Sequence, residues 1–180
     1  GPKFVLDVAT APVALATADL NGDNFADLVT ANANTDDVTV LLTRLVGPFQ
    51  APQSFSVGAG NGPSALAIAD VDGNTFPDLV VANQLAGTIA VFFGNGDGTF
   101  ELPPTAFALG NFPANPSPAA VALADLNGDG NSDIIWRHDS GQVYIWEMDG
   151  LAIKAEGGVA HAAVSNDWHI HGPDDLDGHA

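Results

Sequence analysis

Asp19, Asn21, Asp23 and Asp27 place four side-chain oxygen donors within one short stretch, DLNGDNFAD. Like charges at this spacing repel one another, so a cation must compensate them or they must all face water. The pattern returns twice. Asp70, Asp72, Asn74 and Asp78 stand in DVDGNTFPD, and Asp125, Asn127, Asp129 and Asp133 in DLNGDGNSD. Numbering each motif from its first Asp, positions 1, 3 and 5 carry oxygen donors and position 9 a carboxylate. Position 7 offers a backbone carbonyl, from Phe25, Phe76 and Asn131. Glycine at position 4 allows a tight loop in which these oxygens converge. An all-oxygen set without imidazole or thiolate selects calcium over zinc or copper, and its size and flexibility favour calcium over magnesium.

The plain alternative is that Asn-Gly and Asp-Gly simply make tight turns. That accounts for two residues per copy and leaves the Asp at position 9 without a reason. An EF-hand does not fit, because its loop needs Glu at position 12 between two helices. Position 12 here is Thr30, Val81 and Trp136, inside strand-like runs. Three carboxylates per loop against a divalent ion leave a net −1 at each site, and three ions would move the formal charge from −18 to −12.

The loops belong to a longer period. PVALATADLNGDNFADLVTAN aligns with PSALAIADVDGNTFPDLVVAN and with PAAVALADLNGDGNSDIIWRH. First aspartates at 19, 70 and 125 give periods of 51 and 55 residues. DLDGHA begins a fourth copy, with Asp175, Asp177 and His179 at ligand positions 1, 3 and 5. It stops before its ninth position, so a partial fourth calcium site is conceivable there. The expected units are 1–58, which includes an irregular N-terminal strand, then 59–113 and 114–164, with 165–180 a truncated fourth start.

Each unit reads as strands. ALAIAD alternates small and large apolar residues and is expected to be buried on both faces. A β-branched run follows the acidic loop, as in DLVVAN and DIIWR. A short turn leads to a third strand (VTVLL, TIAVFF, QVYIW) and a fourth, less regular one such as FQAPQSFSV. Four antiparallel strands in about 50 residues make a propeller blade. Ala65, Ala67 and Ala69 then belong on the innermost strand, with Leu66 and Ile68 filling the gap to a neighbour. The fold class is all-β: antiparallel four-stranded blades, three plus a partial fourth.

The acidic motifs, with FFGNGDGTF at 92–100, resemble FG-GAP/VCBS-type repeats, and DIIWRHDSGQVYIWEMDG resembles their Trp-containing bacterial version. The resemblance covers nearly the whole chain. It implies a calcium-bearing β-propeller, most often on extracellular or cell-surface proteins, integrin-like heads among them. Such propellers close with about seven blades, whereas three and a fraction do not close in one chain. An open array, or association with other copies, is therefore expected.

Bulk composition agrees. Four Lys and Arg against 22 Asp and Glu exclude the basic footprint that nucleic acid requires and disfavour anionic membranes. No apolar run approaches the roughly 18 residues of a membrane span, so membrane insertion is not expected. The absence of cysteine excludes disulfides and thiolate metal sites. No nucleophile elbow, phosphate loop or zinc-protease motif occurs, and no isolated carboxylate pair stands apart from the repeats, so no enzyme is expected.

Two further groups of residues invite a function. Trp136, Trp146 and Trp168 can form a sugar-stacking platform, although tryptophan is more often a wedge between blades. His169 and His171, with His161, suggest a transition-metal site, but two histidines underdetermine one and a polar strand face is favoured. The leading expectation is a calcium-stabilised extracellular module with a structural, adhesive or self-assembly role. Its partners would be other copies, neighbouring repeats of a longer chain, or a surface protein. A carbohydrate-binding propeller and a non-catalytic domain of a larger secreted enzyme are the alternatives.

Overall fold

The computed structural model describes residues 8–47, 49–109, 117–149 and 152–153. Every regular element in it is a strand. The first sheet holds β1 (Pro12–Ala18), β2 (Asp27–Asn32), β3 (Asp37–Leu41) and β4 (Gln53–Ser56) in that order. The second holds β5 (Pro63–Ala69), β6 (Asp78–Asn83), β7 (Thr88–Phe92) and β8 (Thr105–Ala108). In the third, β9 (Pro118–Ala124), β10 (Asp133–His138) and β11 (Val143–Trp146) pair, and β12 (Met148–Asp149) and β13 (Ala152–Ile153) form a separate hairpin. All pairings are antiparallel between sequence neighbours, as in the blades of a propeller. The described residues form no closed ring.

Sequence period dictates the packing. β1, β5 and β9 lie side by side and are rich in alanine, which lets three sheet edges approach closely. Each begins at a proline, a residue tolerated at the first position of an edge strand because its missing N–H breaks no ladder. β5 and β9 are half-buried and β1 is more exposed still, rather than buried on both faces as expected; Ser64, Ala65, Ala67, Ile68 and Ala69 all keep partial exposure. The reason is position: β5 is the edge of its sheet, while β6, one strand in, is buried along its whole length.

Two cores fill the gaps between sheets. Between the first and second, Val29, Ala31, Val38, Val40 and Leu42 meet Leu66, Leu79, Val81, Ala90 and Phe92. Phe100 closes this core, edge-on to Phe55 at 5.2 Å and to Phe92 at 6.0 Å. Between the second and third, Val80, Ala82, Ile89, Val91 and Phe93 meet Ile134, Trp136, Tyr144 and Trp146. The Ser64 hydroxyl also donates to the Pro118 carbonyl across this junction at 2.8 Å.

One position outside the motifs clamps the first junction. Asp36 lies at φ 51°, where the next two repeats have Gly87 and Gly141, also at positive φ. Its carboxylate accepts the N–H groups of Gly60 at 2.7 Å and Gly62 at 2.8 Å. Those bonds hold its pKa below the usual value. They explain a non-glycine residue in a left-handed conformation.

The third sheet depends on its aromatic wedge. Trp136 stacks on Tyr144 at 4.2 Å and meets Trp146 edge-on at 5.9 Å. Truncation of Trp136 to Ala would leave a large cavity, so an expected loss of about 3–5 kcal/mol should appear as a lower urea midpoint in tryptophan-fluorescence unfolding.

Candidate metal centre

Each acidic motif is the connection between the first two strands of its sheet. Position 9 opens the second strand, with Asp27, Asp78 and Asp133 directly across from Ala18, Ala69 and Ala124. The eight residues before it wind around their own side chains in the same way each time.

The position 1 carboxylate accepts the N–H of the position 4 glycine: Gly22 to Asp19 at 2.8 Å, Gly73 to Asp70 at 2.8 Å, Gly128 to Asp125 at 2.7 Å. Its other oxygen accepts the N–H of position 6, from Asn24 at 2.7 Å, Thr75 at 2.8 Å and Gly130 at 3.0 Å. Position 3 accepts from position 5, and position 5 from position 7, at 2.7–3.0 Å throughout. These are Asx turns in series. They require left-handed backbone at positions 4 and 6, and φ lies between 66° and 94° at all six residues.

The position 9 carboxylates are fully buried and clasp two backbone groups each. Asp27 accepts from Leu20 at 2.9 Å and Thr43 at 2.7 Å, and Asp78 from Val71 and Gly94, both at 2.8 Å. Asp133 accepts from Leu126 and Met148, both at 2.9 Å. This arrangement supplies a structural reason for the ninth aspartate that turn chemistry alone lacked. Each oxygen keeps a second lone pair, so the clasp does not exclude ligation.

The second loop gathers its charges most tightly. Ligand oxygens of Asp70, Asp72 and Asp78 lie within 4.8 Å of one another, with Asp78 buried and the other two partly so. Burial pushes the Asp78 carboxyl up to about 6, against the downward pull of the Gly94 and Val71 N–H groups. Asp72 is likewise raised, by burial and then by the neighbouring charge of Asp70. Asp19 in the first loop behaves oppositely. Burial works upward there, but the N–H groups of Asn24, Gly22, Asp23 and Asn21 outweigh it and lower its pKa. The chemistry of position 3 separates the loops. Asp72 adds a carboxylate between positions 1 and 9, where Asn21 and Asn127 add an amide. In those copies the third carboxylate is Asp23 or Asp129, which accepts the N–H of Phe25 or Asn131 at 2.9 Å. Hard oxygens alone, three of them anionic and held close, are the donor set that fits calcium.

The remaining expected residues fall elsewhere. Trp136 is 1% and Trp146 7% exposed, and Phe107 lies against Trp146 at 6.1 Å. A sugar-stacking platform needs an open ring face. These two rings are covered by the second sheet, so they are core residues and not a binding surface. Trp168, His161, His169, His171, Asp175, Asp177 and His179 lie outside the described residues. Residues overlooked in sequence are Thr43, Gly94 and Met148, whose N–H groups complete the clasps 15 or 16 positions beyond the aspartates. Only backbone atoms act there, so no residue type signals them. Asp36 was detectable, because it replaces a glycine of the other repeats.

Thr75 carries strain. It is β-branched, exposed and at φ 73°, where the other copies have Asn24 and Gly130. Left-handed backbone at such a residue is disfavoured by about 1–2 kcal/mol. The Thr75→Asn variant should therefore gain about 1 kcal/mol, read as a higher urea midpoint with an unchanged slope.

No match was found among curated proteins. The chain is similar to part of the crystal structure of TcdB2-TccC3, with 22% identity and a TM-score of 0.47 over 68% of this chain and 6% of that one. The family model described as FG-GAP-like repeat matches residues 19–81 and again 70–136, each match running from one acidic loop through the next. Two overlapping matches spanning 19–136, over sheets that each carry one of these loops, make this chain a member of the FG-GAP-like repeat family.

Proposed function

We propose that this chain is a non-catalytic, calcium-stabilised repeat module that works by assembling with further blades at an extracellular or cell-surface location. The observation that carries the calcium reading is the convergence of Asp70, Asp72 and Asp78 within 4.8 Å. The shared turn geometry extends the reading to the first and third loops, with Asp19, Asn21, Asp23, Asp27 and the Phe25 carbonyl in one. Asp125, Asn127, Asp129, Asp133 and the Asn131 carbonyl would serve in the other. Membership of the repeat family supports the structural role, and the resemblance to repeats most often carried by extracellular proteins motivates the location.

The assembly reading rests on one face of the first sheet. Leu66 of β5 is 8% exposed because it packs against the first sheet. Its counterpart one repeat earlier, Leu15, is 70% exposed, and Val13 beside it 51%. An exposed apolar strand face in a repeat array is a site for the next unit. The exposed patch is confined to β1: Thr17 stands there in place of Ile68, whereas Thr30 and Thr39 on the inner strands are already buried, so the contact would be smaller than the one between the first two sheets. The blade that covers it would come from a second copy or from further repeats of the same polypeptide.

Calcium and pH act on the same carboxylates. The Asp78 pKa is raised from 3.8 to about 6. Without a cation, its contribution to stability is present below 3.8 and lost as pH rises through about 6. Bound calcium offsets that loss and requires the ionised carboxylate. Millimolar calcium should add about 0.5–1.5 kcal/mol per site. Thermal melts in calcium and in chelator should therefore differ by a few degrees near pH 7, with the gap closing as pH falls below about 6. Identical melts in both at neutral pH would refute structural calcium. For assembly, sedimentation should show mass rising with concentration in the native chain and not in Leu15→Asp. A strict monomer, with and without calcium, would count against association.

A further inference from the structure

The three loops are not equally connected. The third touches the second directly: the Ser132 N–H donates to the Asp70 carbonyl at 2.9 Å. The Asn131 side chain also lies against Gly73, so closely that a Cβ there would fall 2.5 Å from its Oδ1. Ser132 is position 8 of the third loop. Position 8 of the second loop is Pro77, which has no N–H to offer the Asp19 carbonyl. Gly22, the counterpart of Gly73, has open space where Gly73 meets Asn131. Instead, the first loop receives the Gly98 N–H on the Leu20 carbonyl at 3.0 Å, from the turn beyond β7.

We propose that cation binding at the second and third loops is positively coupled through Ser132 and Asn131, while the first loop binds independently. The proposal rests on the calcium reading above. Ser132 stands between two ligands of the third loop, the Asn131 carbonyl and the Asp133 carboxylate. An ion there fixes the peptide that carries the Ser132 N–H. That N–H fixes the Asp70 carbonyl, and with it the residue whose carboxylate opens the second loop. Ordering one loop reduces the ordering left for the other, and linkage makes the effect reciprocal. Charge acts in the opposite sense, because loading one acidic site lowers the negative potential at the next. That part is screened beyond about 8 Å at physiological salt and is untouched by removing an N–H.

Three amides report on the loops separately. Gly22, Gly73 and Gly128 each donate to the first aspartate of their own loop at 2.7–2.8 Å. Calcium titration of the full ¹⁵N-labelled chain in about 0.15 M salt should move all three. Gly73 and Gly128 should follow steep curves with a common midpoint, and Gly22 a simple hyperbola. Ser132→Pro places at position 8 the residue that the second loop already accommodates. It should raise the Gly73 and Gly128 midpoints about 5–10-fold and flatten both curves, leaving Gly22 in place. Asp125→Ala, which disables the third site, should shift Gly73 by a similar factor. A Gly73 midpoint unchanged by the substitutions that fold would overturn the coupling, as would a simple hyperbola at Gly73 in the native chain. If no glycine amide moves with calcium, the calcium reading fails and the coupling with it.

Discussion

The ninth aspartate of each motif is the constraint on which the blades depend. Asp27, Asp78 and Asp133 have no exposed surface, yet a carboxylate in such a place is unfavourable unless its oxygens are satisfied. Two N–H groups meet each one, the first from the start of the acidic loop and the second from the chain just beyond the third strand. One side chain thus ties together three segments that strand pairing alone leaves free to splay. It also fixes where the loop begins and ends, and so where the remaining oxygens point.

That arrangement alters the meaning of the acidic repeats. A turn of this shape forms from its own Asx bonds, and all three copies adopt it with the same partners. An ion would therefore find the turn already outlined, and would both neutralise its charge and fix the shape its own bonds favour. The second loop needs that neutralisation most. Burial opposes ionisation of Asp78 and Asp72, and Asp70 adds repulsion at Asp72. The first loop needs it less, since backbone N–H groups already favour the charged form of Asp19. Equal spacing in sequence thus gives unequal electrostatics.

The period, the strands and the loop positions were legible because they rest on local rules. Alternation of small and large residues marks β1, β5 and β9, β-branched runs mark β2 and β6, and Asn-Gly or Asp-Gly marks each turn. What escaped the sequence is what depends on tertiary neighbours. ALAIAD looked buried on both faces because Ala65–Ala69 are all apolar, but strand order puts it at a sheet edge. Trp136 and Trp146 looked able to meet a ligand because aromatic residues serve both purposes, and only the position of the second sheet decides. The ninth aspartate seemed to need a cation because its backbone partners, such as Gly94, lie too far along the chain to be associated with it.

Repetition also hides differences that matter. Aligned by motif, Ser132 and Pro77 hold the same place and look equally incidental. One carries an N–H that reaches the preceding loop and the other cannot. Likewise Asp36 and Gly87 share a left-handed backbone, but only Asp36 has a carboxylate to grip the glycine-rich segment at 58–62. Thr17, Thr30 and Thr39 keep the strand propensity of Ile68 and Val81 while making one sheet face less apolar. In each case the shared residues build the blade, and the deviating ones determine how that blade meets its neighbour. Individuality in this chain therefore resides at the junctions, where a single N–H, carboxylate or methyl group changes what two otherwise equivalent units can exchange.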